Sequence, residues 1–234
     1  MRLGFLDMDL MDAADPIGGL VRAGLARVVP PTTDVAPSYG VGRLFSGSPK
    51  PQLRIPATWL SDTSGTIAAR FVPLTGSPMP AENDLVALAN LGRILYLGGS
   101  GLNRLALYIG GGTASEVNVA RSWAAGDVLT GVARWTATTQ DLIFCGTAAQ
   151  VARTGTNGPG TDIRFGVYGS TSSYVGPVII SPTRFSDADA ALLGASPADP
   201  LWSDIMRLAD WLRRKYPGSL LLPLQSDSVS YLVL

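Results

Sequence analysis

The runs Leu105-Ala106-Leu107-Tyr108-Ile109 and Val132-Ala133-Arg134-Trp135 decide the fold class of this chain. Neighbouring side chains of an extended segment face opposite sides of a sheet, so one set packs and the other meets solvent or a second layer. Similar short runs continue from Tyr39 onward, separated by turn material such as Gly98-Gly99-Ser100-Gly101. This spacing predicts an all-β sandwich. The predicted strands are 42–45, 52–55, 65–73, 84–90, 93–97, 103–109, 116–121, 128–137, 141–145, 162–168 and 176–180.

Two helices are predicted after the last strand. Ser186 caps the first, with Asp189 in the place of the capping-box Glu, and Gly194 ends it. The second begins at Asp199-Pro200 and runs to about Lys215. It is amphipathic, with one apolar stripe at helical spacing formed by Leu201, Trp202, Ile205, Leu208, Ala209 and Leu212. Trp211 lies off that stripe.

Composition excludes several classes of function. The 234 residues contain 18 basic and 18 acidic side chains and no histidine. Without a basic field or a basic run, nucleic acid is not expected as a partner. Without histidine and with the single Cys145, neither a structural zinc site nor an internal disulfide is expected, and Cys145 itself is predicted to be a buried, inert thiol. No cofactor is predicted.

The N-terminus also argues against a membrane segment. Asp7, Asp9, Asp12 and Asp15 interrupt its apolar residues, so it matches neither a signal peptide nor a membrane span. We therefore expect synthesis in the cytoplasm and no membrane insertion.

Three motifs in order give the chain a family resemblance. Gly42-Arg43-Leu44-Phe45-Ser46-Gly47, Leu53-Arg54-Ile55-Pro56 and Gly65-Thr66-Ile67-Ala68-Ala69-Arg70-Phe71 resemble the opening strands of laminin-G-like, concanavalin A-like jelly-roll domains. Residues 178–189 resemble the closing strand and short helix of the same family, with Phe185 for the usual Leu and Asp189 for the usual Glu. The resemblance implies a jelly-roll sandwich over residues 37–197. Residues 1–36 then form an N-terminal arm or edge strand, and residues 198–234 a C-terminal helix and apolar tail.

The resemblance by itself does not choose a function, because the family includes hydrolases, lyases, lectins and non-enzymatic modules. Retaining hydrolases of this architecture carry E-x-D-x-E on a strand, which this sequence lacks, and Glu82 and Glu116 are far apart. The pairs Asp7/Asp9 and Asp187/Asp189 are better explained as solvated or structural groups. The chain is therefore predicted not to be an enzyme.

Glycan binding is favoured over catalysis, since sugar rings stack on exposed aromatic side chains beside amides and carboxylates. Trp123, Asn157, Tyr168 and Tyr174 are the candidate glycan-binding residues, because they lie on predicted loops or loop ends. Trp59 and Trp135 are predicted to be core. Asn157 and Asp162 are too few for a calcium site, so no metal is predicted.

With no signal peptide, no cysteine pair and no catalytic carboxylates, this chain resembles the laminin-G-like modules that are attached to bacteriophage virion proteins. The expectation is a structural or adhesion protein of a phage-like particle, made in the host cytoplasm and located in the virion, whose partners are other virion proteins and host-surface glycans. The alternatives are a freestanding carbohydrate-binding module and a polysaccharide-acting enzyme. A homo-oligomer is also expected, because the apolar C-terminal end needs cover. Its predicted interface consists of Trp211, Tyr231, Leu232, Val233 and Leu234. The alternative is that residues 229–234 complete an edge of the chain's own sheet.

Overall fold

A computed structural model describes residues 27–29, 38–39, 42–45, 52–56, 60–61, 63–88, 92–98, 101–108, 116–153, 162–165, 173–196, 200–222 and 232–233. In chain order the strands are β1 (Arg27–Val29), β2 (Ser38–Tyr39), β3 (Gly42–Phe45), β4 (Gln52–Pro56), β5 (Gly65–Pro73), β6 (Glu82–Leu88), β7 (Gly92–Gly98), β8 (Arg104–Tyr108), β9 (Glu116–Ala120), β10 (Leu129–Trp135), β11 (Thr139–Phe144), β12 (Thr147–Ala152), β13 (Asp162–Phe165), β14 (Ser173–Ser181), β15 (Leu220–Leu222) and β16 (Leu232–Val233). The helices are α1 (Asp187–Ala195), α2 (Pro200–Ser203) and α3 (Ile205–Lys215).

The strands form two antiparallel sheets, which confirms the predicted all-β sandwich. One sheet has the order β1-β4-β13-β6-β7-β8-β9. The other has the order β12-β11-β10-β5-β14-β15-β16, and β3 also pairs with β14 and with β2. They are called the seven-stranded and the nine-stranded sheet below.

Alternation along each strand builds the core between the sheets. In β5, Ile67, Ala69 and Phe71 enter this core, and in β8 Leu105 and Leu107 do the same. All are completely buried. The runs that predicted the sandwich therefore have the orientation that a period of two requires.

The nine-stranded sheet is buried on its second face as well. Ala68 of β5, Val132 of β10 and Ile179 of β14 pack there against the helices, together with Phe185 and Trp202. The helices thus form a third layer, and every residue of β10 is buried. Along the described chain no helix has the length and apolarity needed to span a membrane.

The helices differ from the prediction in two details. The predicted second helix is broken into α2 and α3, because the Asp204 side chain caps α3 by accepting from Arg207 N at 2.9 Å. Gly194 does not end α1 but lies inside it, where a Cβ would come within 2.5 Å of Ile143 Cγ2. The absence of a side chain at Gly194 therefore allows the helix to pack closely against the sheet.

The predicted capping residues of α1 are confirmed and belong to a larger network. Ser186 Oγ accepts from Asp189 N at 3.1 Å, and Asp189 accepts from Tyr216 Oη and Lys215 Nζ, both at 2.6 Å. Burial raises the pKa of Asp189, but the hydrogen bonds from Lys215, Tyr216 and Ser186 outweigh it and hold this pKa below its usual range. Asp189 thus has the structural role predicted for it and links α1 to the end of α3.

A second network joins α1 to the nine-stranded sheet. Arg134 Nε donates to Asp141 Oδ2 at 2.7 Å, and Arg134 Nη1 donates to Phe185 O at 2.9 Å and to Asp187 Oδ1 at 2.8 Å. Arg184 Nη2 donates to Asp141 Oδ1 at 3.0 Å. The hydrogen bond from Arg134 and its positive charge lower the pKa of the Asp187 carboxyl. Asp187 therefore has the structural role that was predicted for the pair.

The C-terminal segment continues the sandwich. Strand β15 pairs with β14, and Leu221 lies opposite Ile179. Strand β16 pairs with β15 of the same chain, where Leu221 lies opposite Leu232. The other end of the chain enters the seven-stranded sheet through β1, which pairs with β4.

Candidate functional site

The candidate site lies on the face of the seven-stranded sheet that points away from the core, which we call the outer face. The buried core residues Leu105, Leu107, Val117 and Val119 belong to the opposite face. Alternation therefore places the residues between and beside them on the outer face of β8 and β9. The helices pack against the other sheet.

Four side chains of neighbouring strands meet on the outer face and form what we call the Glu116 cluster: Tyr96 of β7, Arg104 of β8, and Glu116 and Asn118 of β9. Tyr96 Oη donates to Glu116 Oε2. Arg104 Nη1 donates to Glu116 Oε1, which also accepts from Asn118 Nδ2 at 3.4 Å. The Arg104 guanidinium lies over the Tyr96 ring, 5.8 Å from its centroid.

Strand register explains why these residues meet. Tyr96 pairs with Ala106, and Ala106 pairs with Asn118, so the positions form one row across three strands. Tyr108 lies opposite Glu116 in the next row. Within the cluster Tyr96 is buried, the Arg104 and Glu116 side chains are each 20% exposed, and Asn118 is exposed. The buried Tyr96 therefore fixes the cluster to the sheet, while Asn118 and part of the Arg104 and Glu116 side chains are accessible to solvent.

The arrangement can recognise hydroxyl groups. A carboxylate has about four lone-pair sites, and three donors occupy Glu116 here. The exposed Asn118 amide adds both a donor and an acceptor. Convergent polar groups of fixed orientation next to aromatic rings are typical of sites that bind polyhydroxylated ligands.

Part of a hydrolase motif lies on a neighbouring strand. Glu82-Asn83-Asp84 of β6 matches the first two acidic positions of E-x-D-x-E, a partial match that was not predicted. The register places Asp84 opposite Tyr96. Val86, which is fully buried, stands where the motif requires its last glutamate, so the motif is incomplete. Within the residues described here, no three His, Cys, Asp or Glu side chains converge as a metal site would require.

The structure does not bring the predicted glycan-binding residues together. Trp123 was expected to present an exposed face, and this is wrong: it is 6% exposed and contacts Phe144 edge-on in the core. Its Nε1 donates to Thr75 O at 3.0 Å, which ties two loops together. Tyr174 is half-buried on β14, in the other sheet. Asn157 and Tyr168 lie outside the described residues.

The predicted oligomer interface also has contacts within the chain. Trp211 packs edge-on against Phe185 with ring centroids 5.9 Å apart, and Lys215 Nζ lies 5.5 Å from the centroid of its ring. Leu232 and Val233 form β16 of the chain's own sheet, the alternative to pairing with another copy. Tyr231 and Leu234 lie outside the described residues.

Two further residues correct or confirm predictions about the core. Trp135 is buried, as predicted, and its Nε1 donates to Ser61 O at 3.0 Å. Trp59 lies outside the described residues. Cys145 is only half-buried, and its thiol lies between Thr130 N at 3.4 Å and Thr130 O at 3.7 Å. The expectation of full burial is therefore wrong for Cys145.

The Glu116 cluster was not predicted. Glu116 was weighed only as half of a catalytic pair, and Tyr96, Tyr108 and Asn118 were not among the candidate site residues. The available signal was the alternation Glu116-Val117-Asn118-Val119, which puts the two polar residues on one face of a strand. Register decides which strand lies beside them, and alternation carries no information about that.

Known proteins resemble the chain only in structure. No protein-family model and no curated protein matches its sequence. The binding domain of botulinum neurotoxin DC resembles it with a TM-score of 0.54 and 12% identity in the complex with rat synaptotagmin II, and with 0.53 and 13% in the complex with SialylT. A botulinum neurotoxin type C structure, described with cell entry that depends on two ganglioside molecules, gives 0.54 and 12%.

These similarities support a β-sandwich of jelly-roll type. Each covers 72% of this chain but only 45% or 46% of the neurotoxin chain. The chain therefore spans less than half the length of these structures. What is shared is the fold, and the receptor contacts of the neurotoxins are a property of those longer chains.

Proposed function

We propose that this chain is a non-enzymatic carbohydrate-binding β-sandwich whose ligand lies on the outer face of the seven-stranded sheet. The observation that carries the proposal is the Glu116 cluster. Its amide, carboxylate, guanidinium and phenol groups are held by one another on three paired strands, so little side-chain entropy is lost when a ligand binds. The neurotoxin structures, described with SialylT and with gangliosides, are consistent with such a function for this fold.

Binding to a glycan array, followed by titration with the best ligand, tests the proposal. Asn118→Ala and Glu116→Gln should each weaken binding about tenfold, the equivalent of one or two hydrogen bonds. Gln150→Ala removes an exposed amide from β12 of the other sheet and serves as the control. An array without hits, or variants that all bind equally well, would contradict the site.

The non-enzymatic part of the proposal has its own measurement. Val86 occupies the third acidic position of the hydrolase motif, so purified protein should release no reducing sugar from β-glucans or from the polysaccharides that it binds. Release that Glu82→Gln or Asp84→Asn abolishes would show that the chain is a hydrolase.

We further propose that the domain belongs to a phage-like virion, where it serves as a structural or adhesion protein and assembles as a homo-oligomer with other virion proteins. Support for this context comes from the sequence resemblance alone. The genes beside this one test it, since capsid or tail genes are expected there. Carbohydrate-metabolism genes in their place would favour a freestanding binding module.

A further inference from the structure

Strand β12 forms one edge of the nine-stranded sheet and is accessible there. It pairs with β11 from Thr147 to Ala152 without a shift of register, so no bulge interrupts it. Ala148, Gln150 and Ala152 are exposed. The strand contains no charged residue and no proline, which are the residues that usually prevent an edge from pairing with a further strand.

Register shows which backbone groups of this edge point away from β11. Only every second residue of an antiparallel strand directs its N–H and C=O at a given neighbour. Arg153 N donates to Thr138 O at 2.8 Å, so residues 151, 149 and 147 also face β11. The N–H and C=O groups of Ala148, Gln150 and Ala152 therefore point outward, and within the part of the chain that the structure describes they make no hydrogen bond.

The order of residues along this edge suits a second copy of the same strand. Antiparallel pairing about a two-fold axis at Gln150 places the two Gln150 residues opposite each other, and Ala148 of each copy opposite Ala152 of the other. Each of these pairs exchanges two backbone hydrogen bonds, about six in all. A charged residue at the axis would face its own charge, whereas the neutral amide of Gln150 can both donate to its copy and accept from it.

The side of β12 that faces the core favours the same pairing. Ala149 and Val151 are half-buried and pack at the margin of the core between the sheets. In this register Ala149 of each copy lies opposite Val151 of the other, in the closer type of antiparallel pair. Pairing therefore removes the remaining exposed surface of these apolar side chains from water.

We infer that two copies of this chain pair their β12 strands antiparallel and join their nine-stranded sheets into one. This inference rests on the homo-oligomer of the proposed function and names its interface. The interface is separate from the C-terminal one that the sequence predicted, because β12 and β16 lie at opposite ends of the sheet order. The dimer carries two Glu116 clusters, so it should bind a surface with many glycans more tightly than one copy does.

The variants Gln150→Glu and Gln150→Lys test the pairing by placing like charges at the two-fold axis. Each variant alone should raise the dissociation constant of the dimer about tenfold or more in analytical ultracentrifugation, because like charges opposed at an interface repel. An equimolar mixture of the two variants should restore the dimer, since a carboxylate then lies opposite an ammonium group. The control variants Ala191→Glu and Ala191→Lys add the same charges at an exposed position of α1 and should leave the dissociation constant unchanged.

The outcomes separate this inference from the proposed function. A dimer that persists with either charge at position 150 would overturn pairing through β12 and leave the homo-oligomer intact. A native chain that stays monomeric up to submillimolar concentration would overturn the second copy as the partner of β12, together with the homo-oligomer. Titration of a soluble glycan with the Gln150→Glu protein reports on the Glu116 cluster alone, because that cluster lies on the other sheet. Glycan binding can therefore fail or succeed independently of the dimer.

Discussion

Asp141 neutralises two arginines at the boundary between the nine-stranded sheet and α1. Its side chain is 8% exposed and Arg134 beside it is 6% exposed, so water can replace neither partner. Removing one member of a buried ion pair leaves an uncompensated charge, which costs about 3–5 kcal/mol. We predict that Asp141→Asn lowers the free energy of unfolding by about 3 kcal/mol, measured by urea denaturation.

The same substitution at an exposed pair is the control. Asp210 accepts from Arg213 at 2.7 Å, but their side chains are 52% and 36% exposed. Asp210→Asn should change stability by less than about 0.5 kcal/mol. Equal effects at the two positions would mean that burial does not determine the strength of the Arg134–Asp141 pair.

At the scale of elements, the position of α1 depends on Gly194. A Cβ there would meet Ile143 Cγ2 at 2.5 Å and Ile143 Cβ at 3.0 Å, so the helix would have to move away from β11. Overpacking of this kind costs about 1–3 kcal/mol, and we predict that loss for Gly194→Ala in thermal or urea denaturation. Leu192→Ala, at a 40% exposed position of the same helix, is the control.

A double variant shows whether this contact is the cause. Ile143→Ala removes the Cγ2 atom, so the cost of Gly194→Ala should be smaller in the Ile143→Ala background than in the native protein. Additive costs would indicate that Gly194 affects stability through the backbone rather than through its contact with Ile143.

At the scale of the whole molecule, the C-terminal residues belong to both cores. Leu220 and Leu222 pack between the sheets, and Leu221 packs under the helices. Deletion of residues 219–234 should therefore unfold the domain, whereas deletion of residues 223–234 leaves β15 in place. Circular dichroism and thermal denaturation of the two truncations check this prediction, and a folded 219–234 deletion would contradict it.

Light scattering on the same proteins tests the predicted homo-oligomer. A full-length multimer that becomes a folded monomer on deletion of residues 223–234 would confirm assembly through the C-terminal segment. A full-length chain that is monomeric at micromolar concentration would contradict it. Within the described residues, Trp211 packs against Phe185 and β16 pairs with β15 of the same chain.

Local pattern by itself determined the elements of this protein. Strand β5 has the predicted bounds, and Ser186 caps α1, because alternation and capping depend on residues a few positions apart. The break at Asp204 and strand β12 were not predicted. Asp204 competes with a continuous apolar stripe, and the small side chains of Thr147–Ala152 carry little strand signal.

Only the tertiary structure decided which elements lie side by side. Tyr96 and Glu116 lie 20 positions apart in sequence, and they meet because β7, β8 and β9 pair in register. Alternation determines which residues of a strand share a face, but the choice of neighbouring strands depends on long-range packing of the hydrophobic faces. For the same reason the sequence predicted single binding residues, whereas the Glu116 cluster required three strands in register.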